Sequence, residues 1–171
     1  MTTATRPSAR PAETQVIVGG LVGAAVLAAL VATWATLPEA VPGIPMPGPL
    51  VDYGFPTARV ILDLAAMAVV GLVLLPKLVG FDADTEPVLA RARRWTVPMA
   101  LLWAAAALVS TFFAAAELTP GEFPDVVAYV SQIGIGQGLV VSASCALAVA
   151  GLGMAAVRYG EKVPAELRII L

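Results

Sequence analysis

Three stretches of this chain run without a charged residue for at least the thickness of a lipid bilayer. Val16 to Leu37 and Trp95 to Ala116 each span 22 residues, and Val126 to Val157 spans 32. At about 1.5 Å per residue, about 20 residues of helix cross a hydrocarbon core about 30 Å thick. A fourth apolar run, from about Phe55 to Val79, is broken only by Arg59, Asp63 and the late Lys77. In lipid a segment must satisfy its own backbone hydrogen bonds, so runs of this kind fold as helices. The expected fold class is an all-α integral membrane protein, a four-helix transmembrane bundle with both termini inside.

Composition agrees: 59% of the 171 residues are hydrophobic and 13% are charged, against roughly 25% charged in soluble domains. The expected organisation is a cytoplasmic N-terminal tail over 1–15, a four-span membrane module over 16–158 and a cytoplasmic tail over 159–171. The spans are placed at about 16–37, 55–79, 95–116 and 129–157. A cleaved signal peptide is the rival reading of the first run, but its apolar core is normally about 7–15 residues. The fourth run is too long for one upright helix. It either tilts strongly or lays its first turn or two in the interface, and a start near Tyr129 is the favoured reading.

Loop charges give the orientation, because Lys and Arg near helix ends are retained on the cytoplasmic side. Arg6 and Arg10 precede the first span; Lys77, Arg91, Arg93 and Arg94 lie between the second and third; Arg158, Lys162 and Arg168 follow the fourth. The other two loops hold Glu39, Asp52, Glu117, Glu122 and Asp125 and no basic residue. Localisation in a bacterial plasma (inner) membrane, multi-pass with both termini cytoplasmic, follows as the expectation. Five prolines between Pro38 and Pro49 point to a semi-rigid surface strap without regular structure. Met46 within it is read as an apolar contact, since one methionine is no copper site.

The chain has no histidine and a single cysteine, Cys145. Histidine-based zinc sites, Ser-His-Asp triads and His-ligated haem are therefore excluded within it, and it is not expected to be an enzyme. A net charge of −2 without a basic tract gives no support to a nucleic-acid partner. The lipid bilayer is the partner the sequence establishes.

Arg59 is the only basic residue that the inside rule leaves unexplained. It and Asp63 are four apart, so they share one helix face and are placed to form an intramembrane ion pair, with Met67 continuing the stripe. With the span starting at Phe55, Arg59 lies about one turn below the outer surface and Asp63 a turn deeper. Arg59 can snorkel outward; the short aspartate cannot. Gln132, Gln137 and Ser142 on the fourth span are candidate polar partners for Asp63. A structural pair that fixes helix rotation and a part of an ion or proton path are the two readings. Conduction is the less favoured, because no second acidic residue lies within a span. Met67 and Cys145, each near mid-span, are weak candidate metal ligands: thioether and thiolate suit cuprous copper, and both are also ordinary apolar fillers. No cofactor is firmly implied, and copper is the one left open.

Helix association in lipid depends on small residues that let backbones approach. Stripes at four-residue spacing are Gly20, Ala24, Ala28 and Ala32 in the first span, Ala106, Ser110 and Ala114 in the third, and Gly134, Gly138, Ser142, Ala146 and Ala150 in the fourth. The segment "GIGQG" has neither the preceding strand nor the glycine spacing of a dinucleotide site. It is read as a close crossing or a mild kink.

The segment "PMPGPLVDYGFPTARVILDLAAMAVVGLVLLPKLV", the basic turn "RARRW" and the alanine-rich third span resemble the amino-terminal part of the CopD-like copper-resistance membrane proteins. "YVSQIGIGQGLVVSASCALAVAGL" and "VPAELRIIL" are similar too, so the likeness covers roughly Pro47 to Leu171. It is strongest to the actinobacterial form, in which a CopD-like half is fused to a cytochrome c oxidase assembly domain. The resemblance implies a protein of copper transport, copper homeostasis or copper delivery to a respiratory oxidase. Its implied partners are further helices of a longer chain or an oxidase-assembly domain. The alternative is a non-catalytic membrane anchoring or assembly module with no metal-binding role of its own. The ending "ELRIIL" reads as the opening turn of another span, so the chain is expected to be a piece of a larger protein, and no family metal ligand carries over to a position here.

Overall fold

The proline-rich stretch ends where a helix begins. Pro49 occupies the first turn, where a missing amide hydrogen costs nothing, and Gly48 caps it in extended conformation. In the computed structural model, which describes residues 11–37, 42, 45–80 and 85–159, the helices are α1 (Pro11–Thr36), α2 (Pro49–Val79), α3 (Glu86–Leu118), α4 (Val126–Gln132) and α5 (Gly134–Tyr159). No strand occurs among the described residues. Four of these helices, all but α4, are long and apolar enough to cross a membrane. Residues 45–48 of the strap have no regular structure; 38–41, 43 and 44 lie outside the described residues, as do 1–10 and 160–171.

Three helices start before the apolar runs do, α1 by five residues, at Pro11 within the stretch expected as a tail. The ladder of α2 continues six residues ahead of Phe55, and that of α3 nine residues ahead of Trp95. The first turns of α3 remain amphipathic, with Leu89 and Ala92 buried while Arg91, Arg93 and Arg94 face outward. Hydropathy marks where a helix enters hydrocarbon, and hydrogen bonding carries it further.

The fourth run is divided. Asp125 caps α4 by accepting from the Ala128 amide at 2.9 Å, and the chain turns extended at Ile133 before α5 starts. The break therefore falls four residues after Tyr129, the expected start of a single helix, and a short helix of under two turns precedes the span. Gly136 makes this fold-back feasible. A Cβ there would stand 2.8 Å from the Tyr129 ring and 3.1 Å from its carbonyl oxygen. Upstream, Pro120 and Gly121 form the turn out of α3, with Gly121 at φ +84° and the Glu122 amide bonded to the Thr119 carbonyl.

Helix α3 is the centre of the bundle, packed by α2 and by α5, while α1 lies against α2 and α4 folds back on α5. Seven of the ten buried residues of α3 are alanine, which brings neighbouring backbones close. Leu62 of α2, Ala106 and Ala107 of α3, and Leu139 and Ala143 of α5 form one core cluster. Val69, Ala100 and Ala150 form a second, and Ala114, Ala115 and Tyr129 a third toward the α4 end.

The small-residue stripes fare differently. Ala106, Ser110 and Ala114 are buried, as are Ala146 and Ala150. Gly134 and Gly138 are exposed, and a Cβ at either would meet nothing within 4 Å. Gly20, Ala24, Ala28 and Ala32 of α1 are exposed as well; the half-buried face is the adjacent one, with Ala25, Val26, Ala29, Leu30 and Thr33. The glycines with a close neighbour are instead Gly54, under the Phe113 ring, Gly136, and Gly153, against Val97. In a chain this rich in alanine and glycine, several faces satisfy the small-residue spacing, and bulky neighbours select among them.

Candidate functional site

Helix α2 carries the two charges that the sequence singles out. It presents Ala58, Leu62, Ala65 and Val69 to the core. Residues one position further on, Arg59, Asp63 and Val70, are thereby turned outward, together with Met67, Leu74 and Lys77. Asp63 is the fifteenth of the 31 residues of α2, so it stands at the middle of the helix.

No ion pair or hydrogen bond joins Arg59 or Asp63 to each other or to any other described residue; the ion pair among these residues is Arg93 with Glu86, at the exposed start of α3. The candidate partners of Asp63 on the fourth run are engaged elsewhere or turned away. Ser142 accepts a hydrogen bond from the Trp103 indole at 3.0 Å, Gln137 donates to the Ser131 carbonyl at 3.4 Å, and Gln132 is exposed at the end of α4. Both α4 and α5 pack on α3, and the α5 residues that join Leu62 and Val69 in the core clusters meet the inward face of α2. The pair thus stands on a shared outward face of an apolar helix.

Met67 is 70% exposed and continues that face, and Cys145 is exposed on α5. Neither points into the core, because each belongs to a helix whose inward face is already taken up by α3. Among the described residues, no three of Asp, Glu and Cys gather as a metal-ligand cluster.

Two features escaped the sequence reading. Trp103 and Ser142 tie α3 to α5 at mid-bundle. A tryptophan far from either end of an apolar span is a usable signal, because its N–H needs an acceptor when buried. The second is a cleft of about 220 Å³ between the end of α1, the start of α2 and the end of α3, lined by Thr33, Thr36, Asp52, Phe55 and Glu117 among others. Both threonine hydroxyls donate back to their own helix. The cleft also shows that Asp52 and Glu117 share one end of the bundle. By the up-and-down course of the chain, Lys77, Arg91, Arg93, Arg94 and Arg158 share the opposite end.

Replacing Trp103 by phenylalanine keeps the ring in the seam and removes the donor. Hydrogen bonds between transmembrane helices are worth about 0.6 kcal/mol on average and up to about 1.7. A loss within that range is expected in reversible unfolding from mild detergent, and Ser142→Ala should add little on top of it. Full additivity of the two changes would show that the bond contributes nothing.

Comparison with known proteins gives one family. A model of the copper resistance protein D-like N-terminal domain matches residues 50–170. The match takes in α2 through α5 and begins after α1. No curated protein and no solved structure matches the chain.

Proposed function

The chain belongs to the copper resistance protein D-like family, matching its N-terminal domain, and from that premise we propose that it is the membrane part of a protein that transports copper or delivers it to a respiratory oxidase. The observation that carries this reading is the extent of the family match, which covers the α2–α5 bundle. In the proposed setting the protein lies in a bacterial plasma membrane with both termini cytoplasmic. The gathering of Lys77, Arg91, Arg93, Arg94 and Arg158 at one end, opposite Asp52 and Glu117, supports that orientation. Copper is cargo in this reading and the chain is not an enzyme. An actinobacterial-type fusion to a cytochrome c oxidase assembly domain is the proposed context for delivery.

A second reading, a membrane anchoring module with no metal role of its own, draws on the charged outward face of α2, which suits attachment to another protein. The two are separated by measuring copper content and oxidase activity in cells that lack the gene and in cells complemented with the intact reading frame. Loss of the gene is expected to change cellular copper content, with complementation restoring it. Unchanged copper content alongside lowered oxidase activity would favour the anchoring reading, and no change in either would defeat both.

A further inference from the structure

The outward face of α2 combines two properties that do not sit together in lipid. It is apolar along Met67, Val70 and Leu74, and it carries Arg59 and Asp63 with no partner among the described residues. A charge at the centre of a membrane helix costs about 2.5–3.5 kcal/mol on insertion scales. Arginine relieves this by reaching toward the headgroups, but aspartate has no stem with which to do so. Whatever covers this face must therefore offer a donor to Asp63 and an acceptor to Arg59.

We infer that the occupant is a second copy of the same chain, docked through α2 about a two-fold axis along the membrane normal. The argument is charge complementarity. A face that bears one cation and one anion a helical turn apart is self-complementary, because a two-fold copy presents Asp63 to Arg59 and Arg59 to Asp63, forming two equivalent bridges. Two copies inserted in the same orientation hold their α2 helices parallel. The offset between residues 59 and 63 is then about 6 Å along the axis, which the long arginine side chain spans. Val70 lies between the two charges in angular position around the helix, so it falls close to the axis. The core-facing residues of α2 remain against α3, and the bundle need not rearrange.

Cysteine cross-linking in native membranes tests this with the full-length protein. Val70, 52% exposed, is replaced by cysteine in a Cys145→Ala background, and Val141, 61% exposed on α5, serves as the lipid-facing control. A short bis-maleimide, matched to an interaxial distance of about 8–10 Å, is expected to give a dimer band from Val70→Cys and little from Val141→Cys. Arg59→Asp gathers four carboxylates in the interface and Asp63→Arg gathers four guanidinium groups, so each alone should lose most of that band. Co-expressing the two with different tags should restore it as the mixed dimer.

The inference is overturned by a Val70→Cys protein that labels freely with a monofunctional maleimide and stays monomeric. It is equally overturned by cross-linking to a different polypeptide, by protection from label without any cross-link, or by equal bands from both positions. Should the charge-reversed proteins fail to insert, the uncharged Val70→Cys readout decides alone. Copper handling does not enter the test, so its outcome is independent of the proposed function.

Discussion

Leucine in place of Ala107 is expected to open the seam on which the whole bundle depends. Ala107 has no exposed surface and sits in the cluster where Leu62 of α2 meets Leu139 and Ala143 of α5. Adding three carbons there forces α3 away from a neighbour or pushes side chains off their rotamers, at a cost of about 1–3 kcal/mol. In water such a loss is partly recovered by burying the added carbons. In lipid the unfolded reference is already apolar, and close packing is the main source of association. The expected result is a protein that still inserts, because the change is more apolar, but whose thermal transition in mild detergent falls by several degrees or vanishes into aggregation. Leu108→Ala, one position along at a side chain 54% exposed, should shift stability by no more than about 0.5 kcal/mol. Equal behaviour of the two variants would refute the central place given to α3.

The contrast between these neighbours marks what could be read in the sequence. Each long helix was visible as an apolar run, because the thickness of the bilayer imposes a length that composition reveals. The rotation of each helix was much less visible. The spacing that picked Ala106, Ser110 and Ala114 correctly also picked Gly20, Ala24, Ala28 and Ala32, which are exposed. Gly136 belongs to a glycine-rich segment, but only the position of Tyr129 shows which glycine has to be small. The division at Ile133 could be suspected from the length of the run, since 32 residues exceed one upright span, while its location depends on the Asp125 cap and the close approach at Gly136.

The site was legible to a similar depth. Arg59 and Asp63 stand out because charge in an apolar run needs an explanation, and the helical period relates them on one face. Which way that face turns depends on α3, whose alanines draw Ala58, Leu62, Ala65 and Val69 inward and leave the charges outside. Met67 and Cys145 were paired by depth alone, and depth leaves rotation undetermined. Trp103 and Ser142 form the one side-chain hydrogen bond between transmembrane helices among the described residues. It links two residues 39 apart in sequence, and helix periodicity does not relate positions on different helices.

Removing one charge of α2 should harm the protein more than removing both. Arg59→Gln leaves Asp63 at mid-helix with neither a stem to reach the headgroups nor a cation to meet, so its cost is expected near the full 2.5–3.5 kcal/mol assigned to a central charge. Asp63→Asn leaves Arg59, which snorkels, so its cost should be smaller. The double variant carries no charge there and should return to near the wild-type amount in the membrane. The resulting cycle gives a coupling energy within the range of about 0.5–3 kcal/mol found for interacting residues. Matched membrane levels then permit the functional comparison: copper content lost in Asp63→Asn at normal abundance, and not rescued in the double variant, would assign Asp63 a part in transport. The same cycle also tests how the coupling is carried. Within one chain the two side chains form no bridge, so in the proposed dimer the coupling between them is carried by the second copy, and it should fade when the protein is dispersed as monomers in excess detergent. A coupling of equal size in monomers would mean that Arg59 reaches Asp63 along its own helix, and the need for a partner at this face would disappear with it.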